Sequence, residues 1–151
     1  MKKIIIWGIL LGMAILSHPV YVSAESAQAT IDISYNDAQL LMKAAQAEAG
    51  NQGVTGQWLV MCVILNRVES ESFPSSVEAV LKQEGQFATY ANGSIDKAEP
   101  TSETHLALAY LESGERAKNI VAFESVNDSS LEKYFWRAFS FRDHCFYTLK
   151  K

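Results

Sequence analysis

Cysteine, proline, histidine and positive charge are all scarce in this chain. Of its 151 residues two are cysteine, three proline and three histidine. Two cysteines are too few for a small fold held together by disulfides. A zinc site takes three or four ligands. Outside the N-terminal block only His105 and His144 remain, without ligand spacing, so no metal is expected. Neither a phosphate-binding loop nor a Gly-Xaa-Ser-Xaa-Gly elbow is present, and no cofactor is expected. The formal net charge of -4 argues against nucleic acid as a partner, because phosphate backbones need a basic face.

Apolar residues, by contrast, make up 48% of the chain, enough for a packed core. The length suits one domain plus a targeting segment. Lys2 and Lys3 open the chain, Ile4 to Leu16 is an uninterrupted apolar run, and Val22-Ser23-Ala24 closes the block. That layout predicts a signal peptide over residues 1–24, cleaved before Glu25. An uncleaved membrane anchor is the competing reading. The run is short for the ~20 residues of a bilayer span, so no stable anchor is expected after cleavage. Removal would leave eleven basic against seventeen acidic side chains, in an exported setting where disulfides are permitted. Residues 25–35 read as a short polar tether, and residues 36–151 as the folded domain.

Within that domain Asn36 or Asp37 is expected to cap a helix from about Ala38, stopped by Gly50. Leu41, Ala44, Ala45 and Glu48 share one of its faces. Thr55 is the expected cap of a second helix. There Trp58 to Leu65 is apolar all round, as in the centre of a core. A short helix with Val77, Val80 and Leu81 inward follows Ser75 or Ser76. Residues 83–96 read as a long loop, a length usually tied to function. After Pro100 a helix over 102–113 is expected to turn Leu106, Ala109 and Tyr110 inward. Residues 119–125 and 134–149 read as β segments, with a turn at Arg142-Asp143. Helices first and strands last predict an α+β fold, mainly helical with a small C-terminal antiparallel lobe.

Glu48 is the polar misfit on its face. It lies beside alanines in the last helical turn, where solvation is poor and the helix dipole disfavours a negative charge. That is the setting of a general acid; a carboxylate at the stripe's rim reaching water is the plainer reading. Glu84, Asp96, Glu99 and Glu103 are candidates for a second carboxylate, and spacing does not choose among them. Cys62, with His105 or His144, raises a thiol peptidase, but it sits inside the most apolar run, where a small core residue is expected. Trp136, Tyr90 and Phe87 could stack on sugar rings or simply pack a β lobe. An even cysteine count in an exported chain also permits a Cys62–Cys145 bridge, against two buried free thiols.

Five segments in register carry a resemblance. They are Ala47 to Gly53, Gly56-Gln57 with Val63 to Val68, Phe73-Pro74, Gly85-Gln86-Phe87, and Asp143 to Tyr147. Together they resemble the SleB-type cell wall hydrolases, the catalytic domains of spore cortex-lytic enzymes, from about residue 36 to 149. The resemblance implies a lysozyme-like fold that cleaves peptidoglycan glycan strands. It places the catalytic acid/base on Glu48 and sets Gln86 and Phe87 beside the substrate groove, with Tyr90 on the same loop. Asn66 and Arg67 fall on an Asn-Arg-Val motif expected to be mainly structural. The expected protein is a secreted, monomeric peptidoglycan glycosidase or lytic transglycosylase of the cell wall. Its alternatives are an inactive peptidoglycan-binding module and the Cys62 peptidase.

Overall fold

The computed structural model describes residues 31–150. The expected signal peptide over 1–24, and the expected tether as far as residue 30, lie outside the described residues. The first helix, α1, spans Tyr35–Ala49. Its cap is Ser34, earlier than expected: Ser34 Oγ accepts from the Asp37 backbone N–H at 3.2 Å and donates to the Asp37 carboxylate at 2.8 Å. Asp37 therefore acts from the third helical position, where its charge also meets the positive end of the helix. Gly50 ends the helix as expected.

The second helix, α2, spans Gly53–Val68. Every side chain from Leu59 to Leu65 is 8% exposed or less, because α1, the short α3 (Val77–Leu81), α6 (Ser102–Glu112) and the first strand surround it. This is the all-round burial that the apolar run predicts. Near its start the fold needs Gly56: a Cβ there would lie 2.2 Å from that of Gln52 and 3.5 Å from the Phe141 ring.

Two expectations are corrected. Residues 83–96 are not a bare loop, for they contain single helical turns, α4 (Ala88–Ala91) and the start of α5 (Ser94–Lys97). Gly93, at φ +74°, supplies the left-handed step between the two turns. Buried Phe87 and Ile95 pin the segment to the core. On α6 the inward residues are Thr104, Ala107, Leu108 and Leu111, whereas Leu106 and Tyr110 are 45% and 47% exposed. The helix is apolar on two faces, so periodicity does not select one. Hydrogen bonding does: Thr104 belongs to a capping box with Thr101, and its hydroxyl donates to Gln46 Oε1 on α1 at 2.8 Å.

The chain then forms β1 (Ile120–Ser125), a 3-10 turn (Ser130–Lys133), β2 (Phe135–Phe141) and β3 (His144–Leu149). The sheet is antiparallel in the order β1-β3-β2. Its expected Arg142-Asp143 turn docks on the start of α2. Gln52 Nε2 donates to the Asp143 carboxylate at 2.9 Å, and Arg142 donates to the Asn51 carbonyl at 3.3 Å.

Alternation along β3 also decides the cysteines. Phe146 packs into the helical core, while its neighbours Cys145 and Tyr147 form a second cluster with Ala122 on the opposite face. Cys62 lies in the helical core, so the sheet separates the two thiols. Both are free and buried, and the Cys62–Cys145 bridge does not form.

Candidate active site

Glu48, in the last turn of α1, opens on a cleft of about 420 Å³. The helices contribute Glu48, Val63 and Arg67; the 85–88 segment contributes Gln86 and Phe87; the β lobe contributes Phe123, Glu124, Asp128, Ser130 and His144. Leu41, Ala44 and Ala45 on the same helical face are fully buried, and Glu48 itself is half-buried at the point where that face meets the cleft. Glu48 Oε1 accepts a hydrogen bond from Thr89 Oγ1 at 2.5 Å. The acid is thereby tied to the segment carrying Gln86 and Phe87.

Arg67 organises the floor. Its side chain is 2% exposed, and burial pushes the guanidinium down to about 10. It donates to the Val121 carbonyl of β1, to Gln83 Oε1 at 3.1 Å and to Gln86 Oε1 at 2.7 Å. Its planar group also lies 4.7 Å from the Phe73 ring and 5.6 Å from the Phe87 ring. One residue at the end of α2 thus fixes a strand and the 83–87 segment together. Next to it Asn66 donates to the carbonyls of Ala117 and Ile120 at 2.8 and 2.7 Å, clamping the entry to β1.

Of the expected site residues, Glu48, Gln86 and Phe87 meet in this cleft. Gln86 is exposed at the rim, held through Arg67. Phe87 is 3% exposed and packs 6.2 Å from Phe123. Tyr90 faces a separate groove, with Lys43, Ile95 and Asp96. Glu84, Glu99 and Glu103 do not line the cleft either. The carboxylates that do are Glu124 and Asp128, which sequence reasoning passed over.

Glu124 is heavily engaged. Its two oxygens accept from Tyr147 Oη at 2.6 Å, Ser130 Oγ at 2.8 Å and the Leu131 N–H at 3.3 Å. Desolvation pushes its carboxyl upward, but these hydrogen bonds outweigh it and hold the group below the ordinary carboxylate value. Burial raises the Tyr147 phenol well above its usual value, and the Glu124 carboxylate adds to that. His144 was also missed as a site residue. It stands between Phe123 (5.1 Å) and Phe146 (6.2 Å), and its buried Nδ1 has no hydrogen-bond partner. Burial depresses its pKa, opposed by Asp143, so the ring facing the cleft is neutral imidazole near neutral pH. Cys62 is outside the cleft and fully buried, with its thiol pushed up to about 11 by burial. It cannot supply a thiolate nucleophile at physiological pH, which removes the peptidase reading.

A larger hollow, about 1020 Å³, lies between the end of α2, the α6–β1 connection and the end of β3. None of the expected site residues lines it, and its acid, Glu69, is largely exposed and paired with Arg116 at 3.2 Å.

A profile of the cell wall hydrolase family matches residues 51–147. The chain belongs to that family. The matched stretch begins just after Glu48 and includes every other residue named in the cleft. Among cell wall hydrolases, the spore cortex-lytic enzyme of Bacillus cereus is 42% identical over 62 residues, 41% of this chain and 24% of that enzyme. The spore cortex-lytic enzyme of Bacillus subtilis is 40% identical over 62 residues, 41% of this chain and 20% of that one. The matched region thus spans about a quarter or less of these curated relatives. The fold is that of the catalytic domain of the Bacillus cereus SleB protein: TM-score 0.68, 26% identity, covering 83% of this chain and 99% of that one. The catalytic domain of the germination-specific lytic transglycosylase SleB from Bacillus anthracis compares similarly, with TM-score 0.66, 25% identity, and 80% and 100% coverage. The α+β, lysozyme-like expectation therefore holds.

Proposed function

We propose that this domain, exported and freed of residues 1–24, cleaves the glycan strands of peptidoglycan with Glu48 as its acid and base. One observation carries the reading. The half-buried Glu48 carboxyl faces the cleft on a rigid helix end, held by Thr89, with Gln86, Phe87 and His144 around it. In its protonated form Glu48 gives a proton to the glycosidic oxygen as the bond to the muramoyl C1 breaks. The resulting carboxylate takes the proton of the muramoyl 6-hydroxyl, whose oxygen closes on C1 as an anhydro ring. Each proton and bond is accounted for without water. Glu124, with both oxygens committed to Tyr147, Ser130 and Leu131, is poorly placed to serve as a second acid or base. That favours the transglycosylase over the muramidase course, although the cell-wall family and the cleft are compatible with both.

Glu48→Gln tests the assignment, since the amide keeps the shape and removes the proton. Lysis of purified wall should fall ~100-fold or more, with an unchanged melting temperature. Full lytic activity in this variant sinks the assignment. Mass spectrometry of the wild-type digest should show anhydromuramoyl ends, lighter by one water. Reducing ends alone would show that water attacks and would turn attention to Asp128.

A further inference from the structure

Among the described residues, the large apolar side chains that face solvent are Tyr35, Leu106, Tyr110, Tyr134, Trp136, Phe139 and Leu149. The last four come from one short stretch. Trp136 and Tyr134 are each 61% exposed and Phe139 is 40% exposed. Register explains the arrangement. Trp136, Phe139 and Phe141 pair with Thr148, Phe146 and His144, and cross-strand partners share a face. The three rings thus form a row on β2, with the bulge between Arg137 and Phe139 keeping them in phase. The row starts at Phe141, whose partner His144 lines the cleft, and runs outward to Trp136 over roughly 15 Å, at ~3.3 Å per residue.

Charge follows the same stretch. Residues 133–151 hold five basic side chains and one acidic, whereas residues 1–132 hold eight basic and sixteen acidic. The rings carry cations: Lys150 Nζ lies 4.7 Å from the Trp136 ring, Lys133 Nζ 4.6 Å from that of Tyr134, and the Arg142 guanidinium 5.7 Å from that of Phe141. Lys150 is held by the carbonyls of Glu132 and Lys133, not by a carboxylate. Arg137, on the other face of the strand, is the cation here that meets an acid, Glu132 at 3.6 Å.

We propose that this edge is a second, non-catalytic binding surface for peptidoglycan, a proposal that rests on the functional reading above. Sugar rings present flat C–H faces that stack on exposed aromatic side chains, and stem peptides carry free carboxylates that match ring-side ammonium groups. The acidic body of the domain repels an anionic wall, so the basic aromatic edge also sets the side from which the enzyme approaches. Arg137 on the edge strand and Arg142 just past its end oppose pairing with another sheet, which makes a second copy of this chain the poorer occupant.

The test is sedimentation of the full chain with insoluble purified peptidoglycan, with Glu48→Gln present throughout so that the wall is not consumed. Adding Trp136→Ala and Phe139→Ala should weaken binding by about tenfold, the loss of two ring contacts at ~0.7 kcal/mol each. Lys133→Glu with Lys150→Glu, which leaves the rings in place, should weaken it comparably at low salt and less at high salt. Undiminished binding in both double variants overturns the proposal. So does a concentration-dependent dimer in sedimentation velocity that Trp136→Ala abolishes, for then the row is a self-association face. Failure of the functional reading shows separately, as wild-type protein that neither clears nor sediments with wall.

Discussion

The middle of α2 and the outer strand β2 are both built from large apolar side chains, yet one is sealed and the other lies open. From Leu59 to Leu65 exposure never exceeds 8%, whereas Trp136 on β2 is 61% exposed. Composition does not separate them; neighbours do. Three helices and a strand enclose α2, while β2 has β3 on one side and, among the described residues, no strand on the other. Apolar surface buried at α2 stabilises the fold, and apolar surface left exposed at β2 remains available for binding.

Substitution can break that contrast. Ile64→Ala, at a site with zero exposure, should cost about 2–5 kcal/mol by urea denaturation. A loss below ~1 kcal/mol would show a core far looser than its burial implies.

A smaller effect is expected between the two extremes, where Tyr147 ties β3 to Glu124. Tyr147→Phe removes one hydrogen bond to a charged group and should cost about 1.5–3 kcal/mol. The pH dependence sharpens the point. Glu124 titrates lower in the fold than in the unfolded chain, so its contribution is present above the unfolded carboxylate value and lost as pH falls through the depressed one. Tyr147 titrates higher in the fold, so its contribution is complete below pH ~10 and is lost as pH rises beyond it. Melting temperature against pH should therefore fall on both sides for wild type, and Tyr147→Phe should flatten the alkaline limb. An unchanged limb would mean that the phenol's surroundings loosen before it titrates.

The smallest change is expected at β2. Trp136→Ala should alter stability by no more than ~0.5 kcal/mol, the range of surface substitutions. A loss near that of Ile64→Ala would show that β2 contributes to the core after all.

The helices were legible because their signals are local. Ser76 and Gly50 mark ends, though α1 and α2 start from Ser34 and Gln52 and not from the expected Asn36 or Asp37 and Thr55. The period of α1 singles out Glu48 without any tertiary information. What stayed hidden depends on contacts distant in sequence. The inward face of α6 is set by Thr104 reaching Gln46, which an apolar count cannot register. Glu124 and His144 reach the cleft through strand register, and β1 offered only the weak sign of one carboxylate at the end of an apolar run. The choice between a Cys62–Cys145 bridge and two buried free thiols stayed open because counting cysteines says nothing of which face of a strand each one occupies. The resemblance brought Gln86 and Phe87 to the cleft but not what holds Gln86, which is Arg67.

The strand order has a consequence for assembly. β3 is the last of the three strands in the chain, and it is the middle of the sheet. Until it emerges, β1 and β2 have no partner between them, and the cleft lacks His144. The helical part and the β2–β3 hairpin can form on local contacts, but joining β1 to β3 pairs Ile120 with Thr148, a less local event expected to be slower. A chain interrupted at the Arg142-Asp143 turn would keep Glu48 on its helix and lose the opposite wall of the cleft. The proposed acid and the wall that faces it would then come together only with the last strand.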